Sequence, residues 1–170
     1  HDLVVKGNDP NQSQLFINDG LFVGGDLIIG TNALVRTPDG GTNVAGNINL
    51  RGGLLGINMD FTRDLGTGAG QVQLTSDGTR QSGFSAFDNP VVVRIEDGGG
   101  NLTNLVWGSS TFDPGQLTLN QDDANSTIEL QNSIDLNAGS GSVDRTFNVY
   151  ANVGTISGAI GNGGAGRANF

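Results

Sequence analysis

Short apolar runs recur along the chain at close, fairly even intervals, each bounded by polar or glycine-rich residues. The first are Leu3-Val4-Val5, Leu15-Phe16-Ile17, Leu21-Phe22-Val23, Leu27-Ile28-Ile29 and Ala33-Leu34-Val35. The central ones are Ile48-Asn49-Leu50, Leu54 to Met59, Val72-Gln73-Leu74, Val91 to Ile95 and Leu105-Val106-Trp107. Leu117-Thr118-Leu119, Ile128-Glu129-Leu130, Ile134-Asp135-Leu136, Phe147-Asn148-Val149 and Thr155-Ile156-Ser157 complete the series. Many alternate apolar with polar, as a strand with one buried face requires. This pattern predicts Leu117, Leu119, Ile128, Leu130, Ile134 and Leu136 pointing inward, with Thr118, Glu129 and Asp135 pointing outward.

Turn signals separate the runs: Asn18-Asp19-Gly20, Pro38-Asp39-Gly40-Gly41, Asp77-Gly78, Asp97-Gly98-Gly99-Gly100 and Asp113-Pro114-Gly115. No stretch carries a helical period, and each proline sits at a break. Short strands with such turns leave a sandwich, an up-and-down barrel or a solenoid. Strands of about three to five residues match one side of a solenoid coil. Asn and Gly at the breaks accept the left-handed conformation that coil corners need. Aromatic residues make up only 6% of the chain, whereas sandwich cores usually hold more. The expectation is one all-β domain over residues 1–170, a right-handed parallel β-solenoid (β-helix), although no strict internal repeat is evident.

Composition narrows the function. The chain has no Cys and a single His, so it has neither a disulfide framework nor a thiolate or His-cluster metal site, and no cofactor is expected. Its 29 glycines favour turns over helices. The net charge of −9 opposes a phosphate backbone, which disfavours nucleic acid as a partner. No segment approaches the roughly 20 apolar residues of a membrane helix, so membrane insertion is not expected. No signal peptide is visible, and the first residue is His1, which suggests a product processed from a longer precursor.

Several segments carry a resemblance when taken in order: Arg63 to Val72, Ser82-Gly83-Phe84-Ser85-Ala86, Leu105 to Phe112, Gln116 to Asn120, Ala124 to Asn132, Ile134 to Asn137, Arg145 to Val149 and Ile156 to Ile160. Across about residues 45–165 the chain resembles bacterial surface proteins with autotransporter-associated β-strand repeats. The resemblance implies a β-helical passenger-type region, extracellular or at the cell surface, with no catalytic residues. The chain departs from full-length members in having no translocator barrel and in stopping at Phe170.

Candidate chemistry is sparse. Asn120-Gln121-Asp122-Asp123-Ala124-Asn125 and Asn8-Asp9-Pro10-Asn11 are rich in oxygen ligands but lack calcium-loop spacing, and read as solvated corners. The tail Gly163 to Phe170 has Ala168 where a β-roll calcium repeat needs Asp. Asp60, Asp64, Asp77, Asp88 and Asp97, with Arg80 and Arg94, are the groups from which a polysaccharide-cleaving pair would have to come. Trp107 reads as packing and Tyr150 as a possible sugar platform. Three N-glycosylation sequons begin at Asn11, Asn101 and Asn125 and, for the bacterial source that the resemblance implies, read as chance matches. The leading expectation is a non-enzymatic structural subunit that binds copies of itself head to tail. Its assembly edges would be Leu3, Val4 and Val5 at one end and Thr155, Ile156 and Phe170 at the other. A monomeric adhesin fragment that binds surface glycans is the alternative.

Overall fold

A computed structural model describes residues 1–8, 13–78, 80–137 and 143–163. Among them the chain forms strands and no helix. Numbered along the chain, the largest sheet runs β1 (Leu3–Val5), β3 (Leu27–Ile29), β5 (Ile48–Arg51), β8 (Gln71–Thr75), β7 (Phe61–Leu65), β10 (Val91–Glu96), β13 (Ile128–Leu130) and β16 (Gly154–Ile156). A second runs β15 (Phe147–Asn148), β12 (Gln116–Leu119), β9 (Gln81–Ala86), β6 (Leu54–Ile57), β4 (Ala33–Arg36) and β2 (Ser13–Phe16). A third, small sheet holds β11 (Leu105–Val106), β14 (Ile134–Asp135) and β17 (Ile160–Gly161). Every strand pair is parallel. Parallel neighbours need a long crossover, and most proteins supply a helix. Here the crossover is a strand of another sheet: β2 lies between β1 and β3, and β4 between β3 and β5. The one departure is β7 and β8, which neighbour each other in the same sheet.

The registers align like with like. Leu3, Leu27, Ile48 and Val72 form one column, and Val5, Ile29, Leu50 and Leu74 another. Leu15, Val35, Leu55, Phe84 and Leu119 do the same in the six-stranded sheet. Apart from Leu15, which is exposed, these columns meet Leu105, Ile134 and Ile160 of the third sheet in one apolar cluster. Leu27, Ile29, Ile48, Leu50, Leu55 and Ile57 are 0% exposed within it. Burying one such side chain is worth about 1.5–3 kcal/mol, so the columns are the main source of stability. Aromatic rings fill the wider part, with Phe61 against Phe84 and Trp107 edge-on to both Phe112 and Phe147.

The breaks use the predicted chemistry. Asn32, Asn120, Asn137 and Asn152, with Asp88, hold positive φ between 46° and 76°. Asn tolerates this region because its short polar side chain bonds locally. Three buried Asn side chains also tie neighbouring segments together. The Asn132 carboxamide accepts from Ile95 N–H at 2.9 Å and donates to the carbonyls of Ile95 and Thr103 at 2.6 and 2.8 Å. Asn120 accepts from Ala86 N–H and donates to Ser126 C=O, both at 2.8 Å. Asn47 donates to the carbonyls of Gly66 and Gln71 at 2.9 and 3.0 Å.

Three expectations are corrected. Thr118 does not point into solvent; it is 0% exposed. The far face of the six-stranded sheet is itself partly covered. There Leu34 and Leu54 join Phe87 in a second small cluster, while Val35 and Leu55 beside them face the main core. Thr118 continues that outer column next to Gly83, and its hydroxyl donates to Gln81 at 3.3 Å. Leu21-Phe22-Val23 is not a strand; only Val23 makes a lone bridge, to Val44, and Phe22 is 78% exposed. Finally, β7 and β9 are strands that the apolar pattern did not reveal. In β9, Ser82 and Ser85 are buried because their hydroxyls bond to the backbone of Gly52, Thr75 and Gln121. Gly83 is needed there: a Cβ would lie 2.1 Å from Thr118 O.

Candidate functional sites

The core columns run out at the end strands. β1 and β16 are the outermost strands of the eight-stranded sheet. Leu3, Val5 and Ile156 are only half-buried, whereas their column partners further in are closed off. Val4 is 51% exposed and Thr155 is exposed. Leu3 N–H donates to Asp26 C=O, and Val5 C=O accepts from Gly30 N–H, both at 2.8 Å. Strand alternation therefore turns the N–H and C=O of Val4 to the open side. At the far end Ile128 N–H donates to Val153 C=O and Ser157 N–H donates to Leu130 C=O, both at 3.0 Å. The backbone groups of Gly154 and Ile156 then face outward. Phe170 lies outside the described residues.

The aspartates are engaged one by one in tying the chain together. Asp60 accepts from Val92 N–H at 2.8 Å and Asp64 from Gly98 N–H at 3.0 Å. Asp77 accepts from the Thr31 hydroxyl at 3.3 Å. Asp97 is held below the usual carboxylate range by the amides of Gly99 and Asn101 and the Asn101 side chain. Asp88 is lowered by the Asn125 carboxamide and by Arg36, whose guanidinium is 3.0 Å away. Arg80 donates to Asn32, and Arg94 to Glu96 and Gln131. Asp135 accepts from the amides of Gly163 and Asn137, which lower its pKa. Asp39 is opposed by burial. Bonds from Thr37, the amides of Leu21 and Gly41, and Asn43 outweigh that and bring its pKa down.

The Asn120–Asn125 corner serves the chain's own backbone, through the Asn120 bonds above and through Asn125, which meets Asp88. Among the described residues no three His, Cys, Asp or Glu side chains gather into a metal cluster. Most of Asn8-Asp9-Pro10-Asn11 and of the glycine-rich tail lies outside the described residues, as does Asn11 of the first sequon. Trp107 is 1% exposed, and its indole N–H donates to Pro114 C=O at 2.9 Å, so it packs as expected. Tyr150 is 54% exposed.

A cleft of about 310 Å3 opens beside the six-stranded sheet, lined by Phe16, Asn18, Arg36, Pro38, Asn58 and Asp88 among others. The Arg36 guanidinium sits 3.8 Å from the centre of the Phe87 ring and 5.4 Å from that of Phe16. These residues lie in four separate segments, and no spacing links them. No protein-family model matches this chain, and no curated protein or solved structure matches it.

Proposed function

We propose that the chain is a right-handed parallel β-solenoid and serves as a structural, non-catalytic element of an extracellular or cell-surface fibre. Each passage of the chain through the sheets makes one coil, and coils stack along the ladders. The half-open core columns at β1 and β16 carry this reading. Another coil stacked on either end would close them in the same way that the inner strands are closed.

The backbone groups support a specific join between copies. With Val4 set opposite Thr155, the Val4 N–H meets Gly154 C=O, and Ile156 N–H meets Val4 C=O. Leu3 and Val5 then continue the inward columns above Gly154 and Ile156. Such a contact is heterologous and does not close, so it propagates into a filament. Main-chain bonds supply affinity, as in other strand additions. The acidic surface keeps nucleic acid away and limits lateral clumping. Surface location and the kinship with autotransporter-associated repeat proteins rest on the resemblance over residues 45–165.

Negative-stain electron microscopy with sedimentation velocity tests the reading. Thin filaments that lengthen with concentration are expected. Monomers at every concentration, with amides of β1 and β16 protected from exchange, would show that the ends are covered within the chain.

A further inference from the structure

We infer that the lateral cleft around Phe16 and Arg36 is a binding site for neutral pyranose oligosaccharides. The site needs no second copy of the chain: Phe16 lies opposite Arg36 on the outer face of β2, the end strand of the six-stranded sheet, away from the core face that Val35 joins. The cleft begins with a glycine. Gly56 leaves a slot that the Phe87 ring occupies, and Arg36 lies over that ring. Asp88, 3.0 Å from Arg36, balances its charge. The cleft is therefore polar yet close to neutral. The Arg36–Asp88 pair leaves a charged ligand little net charge to meet, and an anion would also face the chain's net charge of −9.

Two kinds of unused group converge there. Phe16 is 53% exposed and offers an apolar ring face. The carboxamides of Asn18 and Asn58 have no hydrogen-bond partner among the described residues, and Arg36 uses only one of its nitrogens, on Asp88. A carboxamide both donates and accepts, and a guanidinium donates along a fork. A flat C–H face next to hydroxyls that donate and accept is what this set matches, and that is the chemistry of a pyranose ring. One ring stacks on Phe16 while its hydroxyls bond Asn18, Asn58 and Arg36. The cleft volume lies at the small end of the usual range for ligand sites, about 300–1,000 Å3, which fits a short recognition unit.

Amide chemical-shift titration of the 15N-labelled chain tests this, using neutral gluco-, manno- and galacto-configured tetrasaccharides with tetragalacturonate as the charged control. Saturable shifts at Asn18, Thr37, Asn58 and Asp88 with at least one neutral sugar are expected. Phe16→Ala and Asn58→Ala should each weaken that binding, by up to about tenfold for the stacking ring. Asn58→Ala lies outside any strand and guards against a folding artefact in β2. The inference is overturned by no saturable shift with any neutral sugar, by shifts mapping elsewhere, or by binding of tetragalacturonate alone. Undiminished binding in both variants overturns it as well. Filament formation is scored separately by sedimentation on the same samples, so failure of one reading leaves the other standing.

Discussion

At the scale of single residues, buried asparagines do what helix caps do in other folds. Asn132 is 0% exposed, and its carboxamide satisfies the Ile95 N–H and the Thr103 carbonyl and adds a second donor to the Ile95 carbonyl, which also accepts from Thr103 N–H. Asn132→Ala leaves the Ile95 N–H buried and unpaired and takes the Asn132 donor from the Thr103 carbonyl, and a loss of about 1–3 kcal/mol is expected. Chemical denaturation with matched m-values checks it. Carboxylates play the matching role at the surface. The folded pKa values of Asp39, Asp88, Asp97 and Asp135 are all lowered from the ordinary carboxylate value by the hydrogen bonds they accept. A lowered folded value means that the stabilisation is present above the unfolded pKa and is lost as pH falls through the folded one. The unfolding midpoint should stay level from about neutral pH to about pH 5 and drop in more acid solution. Asp39→Asn should be less stable at neutral pH, because one carboxamide oxygen replaces two acceptor oxygens that serve four donors. Its acid limb should be shallower, and thermal melts across the pH series would show whether it is.

Among the elements, β6 and β9 show how a glycine shapes a sheet face. A Cβ on Gly56 would lie 2.9 Å from the Phe87 ring and 3.2 Å from the Arg36 backbone and side chain. Gly56→Val should therefore expel Phe87, cost about 1–3 kcal/mol and uncover Leu34 and Leu54. Increased dye binding by exposed apolar surface, together with a lower unfolding midpoint, is the expected signature. The sequence showed β5, β12 and β13 clearly, because each alternates apolar and polar residues with the apolar ones inward, and β10 by its apolar run from Val91 to Val93. It did not show β9, since Gln81-Ser82-Gly83-Phe84-Ser85-Ala86 offers little apolar signal. Its two serines are buried only because backbone groups from other segments meet them. Outward-facing Thr118 misled for the same reason: alternation tells which residues share a face, but not whether a second layer covers that face.

For the whole molecule, the decisive question is what lies against β1 and β16. Val4→Pro removes an N–H that points to the open side and makes no bond to β3. Proline is tolerated on such an edge. The folded chain should keep an unfolding midpoint near the parent's while losing filaments in electron microscopy and sedimenting as a single small species. Filaments from the proline variant would rule out the Val4–Thr155 join. The same variant should leave the lateral cleft intact, which separates assembly from sugar binding.

The sequence by itself determined the all-β character, the short strands and the left-handed asparagine corners, because alternation and turn chemistry are local properties. It also determined that Trp107 would pack rather than project. Only the tertiary structure decided which strands neighbour one another, since parallel pairing, β7 with β8 excepted, joins residues 20 to 37 positions apart with no turn to announce the partner. It alone brought Phe16, Arg36, Asn58 and Asp88 to one cleft, because that cleft depends on neighbouring strands stacking in register, and no single segment contains that information.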